Sequence, residues 1–180
     1  RKLMKRIVCI VVLLVLVISV GCTREKADIP KPPAKLFGFR GDGSGVFPDA
    51  NPPDKWSEED GLNILWTVEV GSGQSSPVIA KDRVFVCGEP DKLVCVDAAK
   101  GKVLWTKVNN LASLPTKVPE PEEGSPTDPG CGYSTPTPVT DGTYVYASYG
   151  SGIVVCYDLE GNRRWIRYID LPQMTEYGRS

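Results

Sequence analysis

The sequence predicts an all-β fold made of four-stranded antiparallel sheets, and two observations support this prediction. The first is a stretch, residues 75–105, that holds four short runs rich in β-branched and aromatic side chains, at 77–80, 83–87, 92–97 and 103–107. Gly, Pro and Asp interrupt the stretch between the runs, which indicates turns and therefore an antiparallel meander. The second observation is that 18 Gly and 16 Pro among 180 residues suit a turn-dense β fold.

The same pattern returns at residues 137–165, so the chain contains an internal repeat. The equivalent residues are Cys95 and Cys156, Asp97 and Asp158, Gly101 and Gly161, and Trp105 and Trp165. A four-stranded repeat that ends in Trp is typical of a β-propeller blade, and one blade cannot bury both of its faces alone. The repeat therefore predicts neighbouring blades. Trp66 is predicted to occupy the position of Trp105 and Trp165. Residues 62–70 are therefore predicted to be the outer strand of a preceding or closing blade.

The motif V-x-V-D-A-x-x-G-K-V-L-W at residues 94–105 resembles the tryptophan-docking repeat of pyrroloquinoline-quinone (PQQ)-type propellers. CYDLEGNRRW at 156–165 resembles a divergent copy of it. The resemblance covers residues 39–168 and implies a partial β-propeller of about two blades plus one outer strand, as the N-terminal part of a longer protein. The predicted PQQ-like region is 39–180, with blade one at 75–108, an insert at 109–133 and blade two at 134–170. Further blades, in the same chain or another, are needed to close the ring.

Residues 1–21 have the pattern of a bacterial export signal, in which a basic cluster precedes the apolar run 7–20. This run is short for a membrane-spanning helix. The letters S-V-G-C that end at Cys22 resemble a lipobox, which implies lipidation of Cys22; a plain signal peptide that happens to end in Cys is the alternative. Residues 22–38 are predicted to be a Pro-rich tether. Because Thr23 follows the Cys, the resemblance implies an exported lipoprotein of the bacterial outer membrane, facing the periplasm or the cell surface.

Few residues indicate catalysis. The chain has no His, which removes the commonest general base and metal ligand. Cys95 and Cys156 share one repeat position, which favours small buried side chains there, and no C-x-x-C pair indicates a zinc site. A disulfide between Cys131 and another cysteine stays open, because exported proteins meet oxidising conditions.

The repeated acidic and aromatic residues have two interpretations each. The two repeat Asp residues could be paired catalytic acids, but their place just before a Gly favours acceptance of backbone N–H groups across a turn, in which the Gly is left-handed. The Trp residues could stack on sugars or quinones, but their repetition on outer strands favours packing between blades. The predicted structural blade motif is Asp97, Gly101, Trp105, Asp158, Gly161, Trp165 and Trp66.

Connectivity predicts where binding residues would lie. In a meander blade, the entry into the first strand and the loop between the second and third strands lie on one face, and loops on a rigid scaffold concentrate binding residues. We call this face the rim; it collects residues 71–75, 88–91, the insert and 149–152. The exposed candidates on the rim are Gln74, Glu89, Asp91 and Tyr149, with the insert acids Glu120, Glu122, Glu123 and Asp128. For each of them a solvated turn is an equally good interpretation.

Two functions from different classes are compatible with these features. The first is a non-catalytic, lipid-anchored propeller that binds an envelope protein or a ligand and needs no cofactor, as the resemblance to the outer-membrane assembly lipoproteins of this family implies. The alternative is the N-terminal fragment of a PQQ-dependent dehydrogenase, with PQQ and calcium, although its acid, Asn and catalytic Asp cannot be placed on this sequence. We therefore predict no catalytic, cofactor-binding or metal-binding residue. Without the basic cluster, 17 basic residues face 22 acidic ones, which argues against nucleic acid as a partner.

Overall fold

Two four-stranded antiparallel sheets make up the regular structure, with the strands of each sheet in chain order. The computed structural model describes residues 37–118 and 132–171. The first sheet contains β1 Val78–Ala80, β2 Arg83–Gly88, β3 Lys92–Asp97 and β4 Val103–Val108, and the second contains β5 Val139–Thr140, β6 Tyr144–Ser148, β7 Ile153–Asp158 and β8 Arg163–Tyr168. A 3-10 turn, Leu111–Ser113, follows the first sheet. The predicted all-β, four-stranded meanders are confirmed.

Several predictions fall on parts of the chain that lie outside the described residues. These are the export signal, Cys22, the tether up to residue 36, insert residues 119–131 with their acids and Cys131, and residues 172–180. The predictions made for them stay predictions. Among residues 37–118 and 132–171, no helix has the length and apolar character needed to cross a membrane.

The two sheets repeat each other in register as well as in sequence. Cys95 pairs with Trp105 across β3 and β4, and Cys156 pairs with Trp165 across β7 and β8. In both sheets the register shifts by one residue immediately after this Cys. Such a bulge increases the local twist of a strand and re-aims its side chains. The repeat therefore specifies the direction of the Trp side chain in addition to its position.

The turns between the third and fourth strands use the repeated Asp and Gly as expected from their chemistry. The Asp97 carboxylate accepts the backbone N–H groups of Ala99 at 3.0 Å and Lys100 at 2.9 Å. Gly101 then adopts φ +65°, and its counterpart Gly161 adopts φ +86°, a region that Gly enters without steric cost. In the second turn, the pKa of Asp158 is lower than its usual value. Burial acts to raise this pKa, but hydrogen bonds from Asn162 together have the larger effect.

The sheets pack face to face through an aromatic core. Trp105 from the first sheet lies with its ring centroid 5.7 Å from that of Phe85 and 5.8 Å from that of Tyr157 in the second sheet. Its indole N–H donates to the Leu159 carbonyl at 3.1 Å, an acceptor that the Arg83 guanidinium also contacts. Full burial of a side chain such as Phe85 contributes roughly 1.5–3 kcal/mol. The interface therefore combines apolar burial with a directional hydrogen bond.

Trp66 contacts the first sheet in the same way as Trp105 contacts the second. Its indole N–H donates to the Ala98 carbonyl at 2.9 Å, and Ala98 follows Asp97 as Leu159 follows Asp158. A Cβ atom at Gly101 would stand 2.5 Å from the Trp66 ring, and one at Gly161 would stand 3.0 Å from the Trp105 ring. Each Gly thus leaves room for the indole of the preceding segment. This arrangement, the indole of one segment against the Gly turn of the next sheet, is termed tryptophan docking below.

The prediction of an outer strand at residues 62–70 is wrong for the described structure. Exposure alternates from residue 64 to residue 70, as the sequence pattern requires, but no strand is formed. The physical reason is that a strand exists through ladder hydrogen bonds to a neighbour. Beyond the bond from the Ile64 N–H to the Gly61 carbonyl, residues 64–70 make no backbone hydrogen bond within the described chain. Docking of Trp66 positions the segment without a ladder.

Trp165 lies on the face of the second sheet that is turned away from the first. Its ring centroid is 6.1 Å from that of Tyr146, the counterpart of the Phe85–Trp105 pair. Within the described residues its indole N–H donates no hydrogen bond. This face therefore resembles the face of the first sheet that carries Phe85 and Trp105, but no described segment covers it.

We expect Gly101→Ala to destabilise the protein more than Gly142→Ala, although both glycines have positive φ. At Gly142, with φ +82° and no atom within 4 Å of the position that a Cβ would take, the cost is backbone strain of about 1–2 kcal/mol. At Gly101 the new methyl group also displaces the Trp66 ring, which adds about 1–3 kcal/mol. Urea unfolding of the two variants measures the difference. Equal losses of unfolding free energy would show that docking of Trp66 contributes nothing.

Candidate functional site

The structure brings the predicted rim loops together through several backbone hydrogen bonds. The Glu89 N–H donates to the Ser72 carbonyl at 2.8 Å, and the Gly150 N–H donates to the Tyr133 carbonyl at 2.7 Å. The Asn109 N–H donates to the Asp91 carbonyl at 2.9 Å. These bonds join the entry loop, the β2–β3 loop, both described ends of the insert and the β6–β7 loop on one face.

Glu89 is the acceptor at the centre of this arrangement. Its carboxylate accepts the Tyr133 N–H at 2.8 Å, the Ser134 N–H at 2.7 Å and the Ser134 hydroxyl at 2.6 Å. Hydrogen bonds to a charged acceptor are about twice as strong as neutral ones. Ser134 is fully buried and Glu89 is half-buried. Glu89 therefore fixes the end of the insert on the first sheet and uses its acceptor capacity within the chain.

A buried polar cluster fixes the other end of the insert. Asn109, with no exposed surface, donates from its amide nitrogen to the Tyr149 hydroxyl at 3.1 Å and accepts the Tyr157 hydroxyl at 2.6 Å. The same amide nitrogen donates to the Asp91 carbonyl at 3.3 Å. Buried networks of this kind rigidify a structure when every member is satisfied. The insert thus leaves the first sheet and returns to it at two fixed points.

Ionisation in this cluster is suppressed by its surroundings. Burial raises the pKa of the Cys87 thiol to about 11, although hydrogen bonds from Tyr149 and Ser75 oppose the change. Burial, with the nearby Cys87, also raises the pKa of Tyr149. Both groups are therefore neutral at physiological pH. A thiol of this kind is unreactive, because the thiolate is the nucleophile.

The four predicted rim residues differ in exposure. Gln74 is exposed, whereas Glu89 and Asp91 are half-buried. Burial raises the pKa of the Asp91 carboxyl, Lys92 opposes the rise and Glu89 adds to it. The expectation that Tyr149 is exposed is wrong: only 2% of it is accessible, because its ring packs between the sheets and its hydroxyl bonds Asn109. As binding residues, Gln74, Glu89 and Asp91 stay predictions.

The cysteines lie where the repeat places small buried side chains. Cys95 has no exposed surface and Cys156 has 2%. Cys87, Cys95 and Cys156 are free thiols. In the described ranges, no group of three or more Cys, Asp or Glu side chains is placed to hold a metal ion.

Sequence reasoning missed the residues that organise the rim, Asn109, Tyr133 and Ser134. One signal could have identified Asn109: when Trp66 is aligned with Trp105, Asn109 is aligned with Val70, at the end of the docked segment. The repeat also places Tyr149 opposite Gly88, where a Cβ would stand 2.6 Å from the Val70 carbonyl oxygen. In the first sheet this repeat position, Gly88, has no room for a side chain. In the second sheet the equivalent residue, Tyr149, has a large side chain that reaches Asn109.

The two sheets, the tryptophan docking and the loop rim define part of a β-propeller. Residues 56–125 match a family model described as outer membrane protein assembly factor BamB. The match supports the PQQ-like propeller repeat, and the resemblance drawn from the repeat residues is confirmed. No curated protein matches the chain.

Two solved structures resemble the chain at low identity. BamB from Moraxella catarrhalis is 16% identical with a TM-score of 0.37, over 55% of this chain and 25% of that chain. A europium-containing methanol dehydrogenase is 19% identical with a TM-score of 0.33, over 54% of this chain and 15% of that chain. The chain therefore spans a quarter or less of the length of these proteins.

We expect Glu89→Gln to destabilise the protein by about 1–3 kcal/mol, because the neutral amide offers one weaker acceptor and places an N–H₂ group against donors. The amides of Tyr133 and Ser134 should exchange hydrogen faster in the variant. The matched control is Glu69→Gln, an exposed acid, which should change stability by less than about 0.5 kcal/mol. If the two variants unfold at the same urea concentration, Glu89 does not hold the insert.

Proposed function

We propose that this chain is part of a non-catalytic, lipid-anchored β-propeller that binds a protein partner in the bacterial envelope through its rim. The observation that carries the proposal is the hydrogen bonding of Glu89 to Tyr133 and Ser134. These bonds consume the rim carboxylate internally and present the surrounding loops as one rigid surface. A pre-organised surface lowers the ordering cost of binding a macromolecule.

The envelope location is part of the proposal and rests on the residues that precede the described structure. The basic cluster, the short apolar run and the lipobox-like sequence that ends at Cys22 are typical of an exported lipoprotein. The match of residues 56–125 to the BamB family model is consistent with this location. The lipidated Cys22 and the Pro-rich tether would hold the sheets near the membrane surface, where an envelope partner can reach them.

The rim, rather than the opposite face, is the proposed contact. A photo-reactive amino acid in place of Gln74, an exposed rim residue, should cross-link a discrete partner in intact bacteria that express the complete protein. The matched control is the same amino acid in place of Lys100, which is exposed on the turn between β3 and β4 at the opposite end of the first sheet. Cross-linking from Lys100 and not from Gln74 would contradict the proposal.

The enzyme alternative predicts a different result from the same protein. Saturable binding of about one PQQ per chain with calcium, measured by calorimetry on the complete, lipid-free and folded protein, would contradict the scaffold proposal. The scaffold proposal requires no cofactor, so it expects no binding heat.

We expect Cys22→Ser to abolish incorporation of labelled palmitate in bacterial cells and to release the protein from the membrane fraction. The reason is that the thiol of this residue is the proposed acylation site. Cys9→Ser is the matched control, because Cys9 lies inside the apolar run and should leave labelling unchanged. Persistence of the label in Cys22→Ser would remove the lipid anchor from the proposal.

A further inference from the structure

The first strands of the two sheets each have one edge that no other strand of their sheet covers, in the region where the sheets converge. β1 and β5 are each the first strand of their sheet, and they are neighbours across the interface. A strand at the edge of a sheet exposes a row of unpaired N–H and C=O groups, which can pair with another strand. The edges of β1 and β5 are therefore two equivalent places at which an extended segment could be added.

A segment that precedes both sheets in sequence occupies one of these two edges. The Phe37 N–H donates to the Thr140 carbonyl at 2.8 Å, and the Thr140 N–H donates to the Phe37 carbonyl at 2.7 Å. This reciprocal exchange is the narrow hydrogen-bonded pair of an antiparallel ladder. Thr140 is the last residue of β5. Phe37 thus forms a one-residue antiparallel bridge to the edge of the second sheet, from a position far earlier in the chain.

The residue that follows Phe37 is suited to this position by its size. A Cβ at Gly38 would stand 3.1 Å from a methyl carbon of Val139, so a larger residue would require Val139 or the segment to shift by a few tenths of an ångström. The Gly38 N–H donates to the Gly41 carbonyl at 2.8 Å and the Gly41 N–H donates back at 3.0 Å. The segment therefore turns away from β5 immediately after one paired residue. Residues 37–41 are termed the inner-edge strap.

The repeat supplies an internal comparison for the effect of the strap. Ile79 of β1 pairs with Val84 as Thr140 of β5 pairs with Val145. Ile79 is 63% exposed, whereas Thr140 has no exposed surface. Within the described residues, no backbone group pairs with the edge of β1 that faces away from β2. Two equivalent edges thus differ in that the strap covers one of them.

We infer that the edge of β5 that faces away from β6 is a strand-addition site for an extended peptide segment, and that the chain fills this site with its own inner-edge strap. The site recognises backbone rather than side-chain chemistry: one residue that offers both N–H and C=O, followed by Gly against Val139. Strand addition of this type takes affinity from main-chain hydrogen bonds. While the strap is bound, a strand from another molecule cannot pair with β5.

The first test compares two amides of the unaltered full chain. In hydrogen exchange resolved to single residues, the Thr140 amide should exchange at least roughly tenfold more slowly than the Ile79 amide, because one is paired and the other is not. Equal exchange at the two positions would overturn the inference without any substitution.

The second test removes the donor. Phe37→Pro deletes the N–H that donates to the Thr140 carbonyl, which breaks the reciprocal pair and should detach the strap. Exchange of the Thr140 amide, which donates to the Phe37 carbonyl, should then rise by roughly tenfold. Phe39→Pro is the matched control, because Phe39 is 59% exposed and its N–H makes no hydrogen bond in the described structure. Amides of the central strand β7 should keep their protection in both variants, which shows that the sheet is intact. Unchanged Thr140 exchange in Phe37→Pro would overturn the inference.

The third test asks whether the emptied edge accepts a strand. A synthetic peptide of residues 33–45 should bind the Phe37→Pro chain and restore protection of the Thr140 amide, but should not bind the unaltered chain. The same peptide with Pro at its Phe37 position should not bind either chain. If the first peptide fails to bind Phe37→Pro, the edge of β5 is not a strand-addition site, and the strap is an ordinary local contact.

Discussion

The structure depends on the docking of a tryptophan indole against the glycine turn of the next sheet. A four-stranded sheet has two apolar faces and cannot cover both of them, so its stability requires neighbours. Trp66 and Trp105 each provide one neighbour contact with the same geometry, in which the indole packs where Gly lacks a Cβ and its N–H reaches the carbonyl of the residue after the repeated Asp. The aromatic ring supplies buried area, and the hydrogen bond supplies direction. Position and orientation of successive sheets are therefore set by one repeated contact.

This contact determines where the loops of the chain meet. Once Trp105 aligns the second sheet on the first, the β2–β3 loop and the β6–β7 loop lie on one face, together with the described ends of the insert, which connects β4 to β5. Glu89 and Asn109 hold its two described ends. The rim is therefore a product of the sheet packing rather than an independent loop structure. This explains why its polar groups bond mainly to one another and why Tyr149, at a loop position, is buried.

The sequence predicted the features that local chemistry determines. The turn residues and the alternation of apolar side chains located the strands of the first sheet to within about a residue, and the repeat located the second sheet, because each hairpin forms between neighbours in the chain. Features that depend on distant partners were not predictable in the same way. Tyr149 is buried because its hydroxyl bonds Asn109, which is distant in sequence. Residues 64–70 form no ladder because no described strand adjoins them. Phe37 pairs with Thr140 although it lies in a Gly-rich segment without alternation. In the rim, the repeat could locate the loops but could not reveal which acceptor would hold them.

The distribution of satisfied polar groups bears on the choice between a scaffold and an enzyme. Binding and stabilising a small cofactor requires polar groups that are held in place but still have capacity for the ligand. In this chain three polar groups are bonded internally: Thr140 to Phe37, Asn109 to two tyrosines, and Glu89 to the insert. A cofactor at these positions would have to replace several hydrogen bonds that already exist. A protein partner has no such requirement, because it can bind the exposed surface of loops that these bonds keep rigid. The proposal of recognition by surface contact rests on these internal hydrogen bonds.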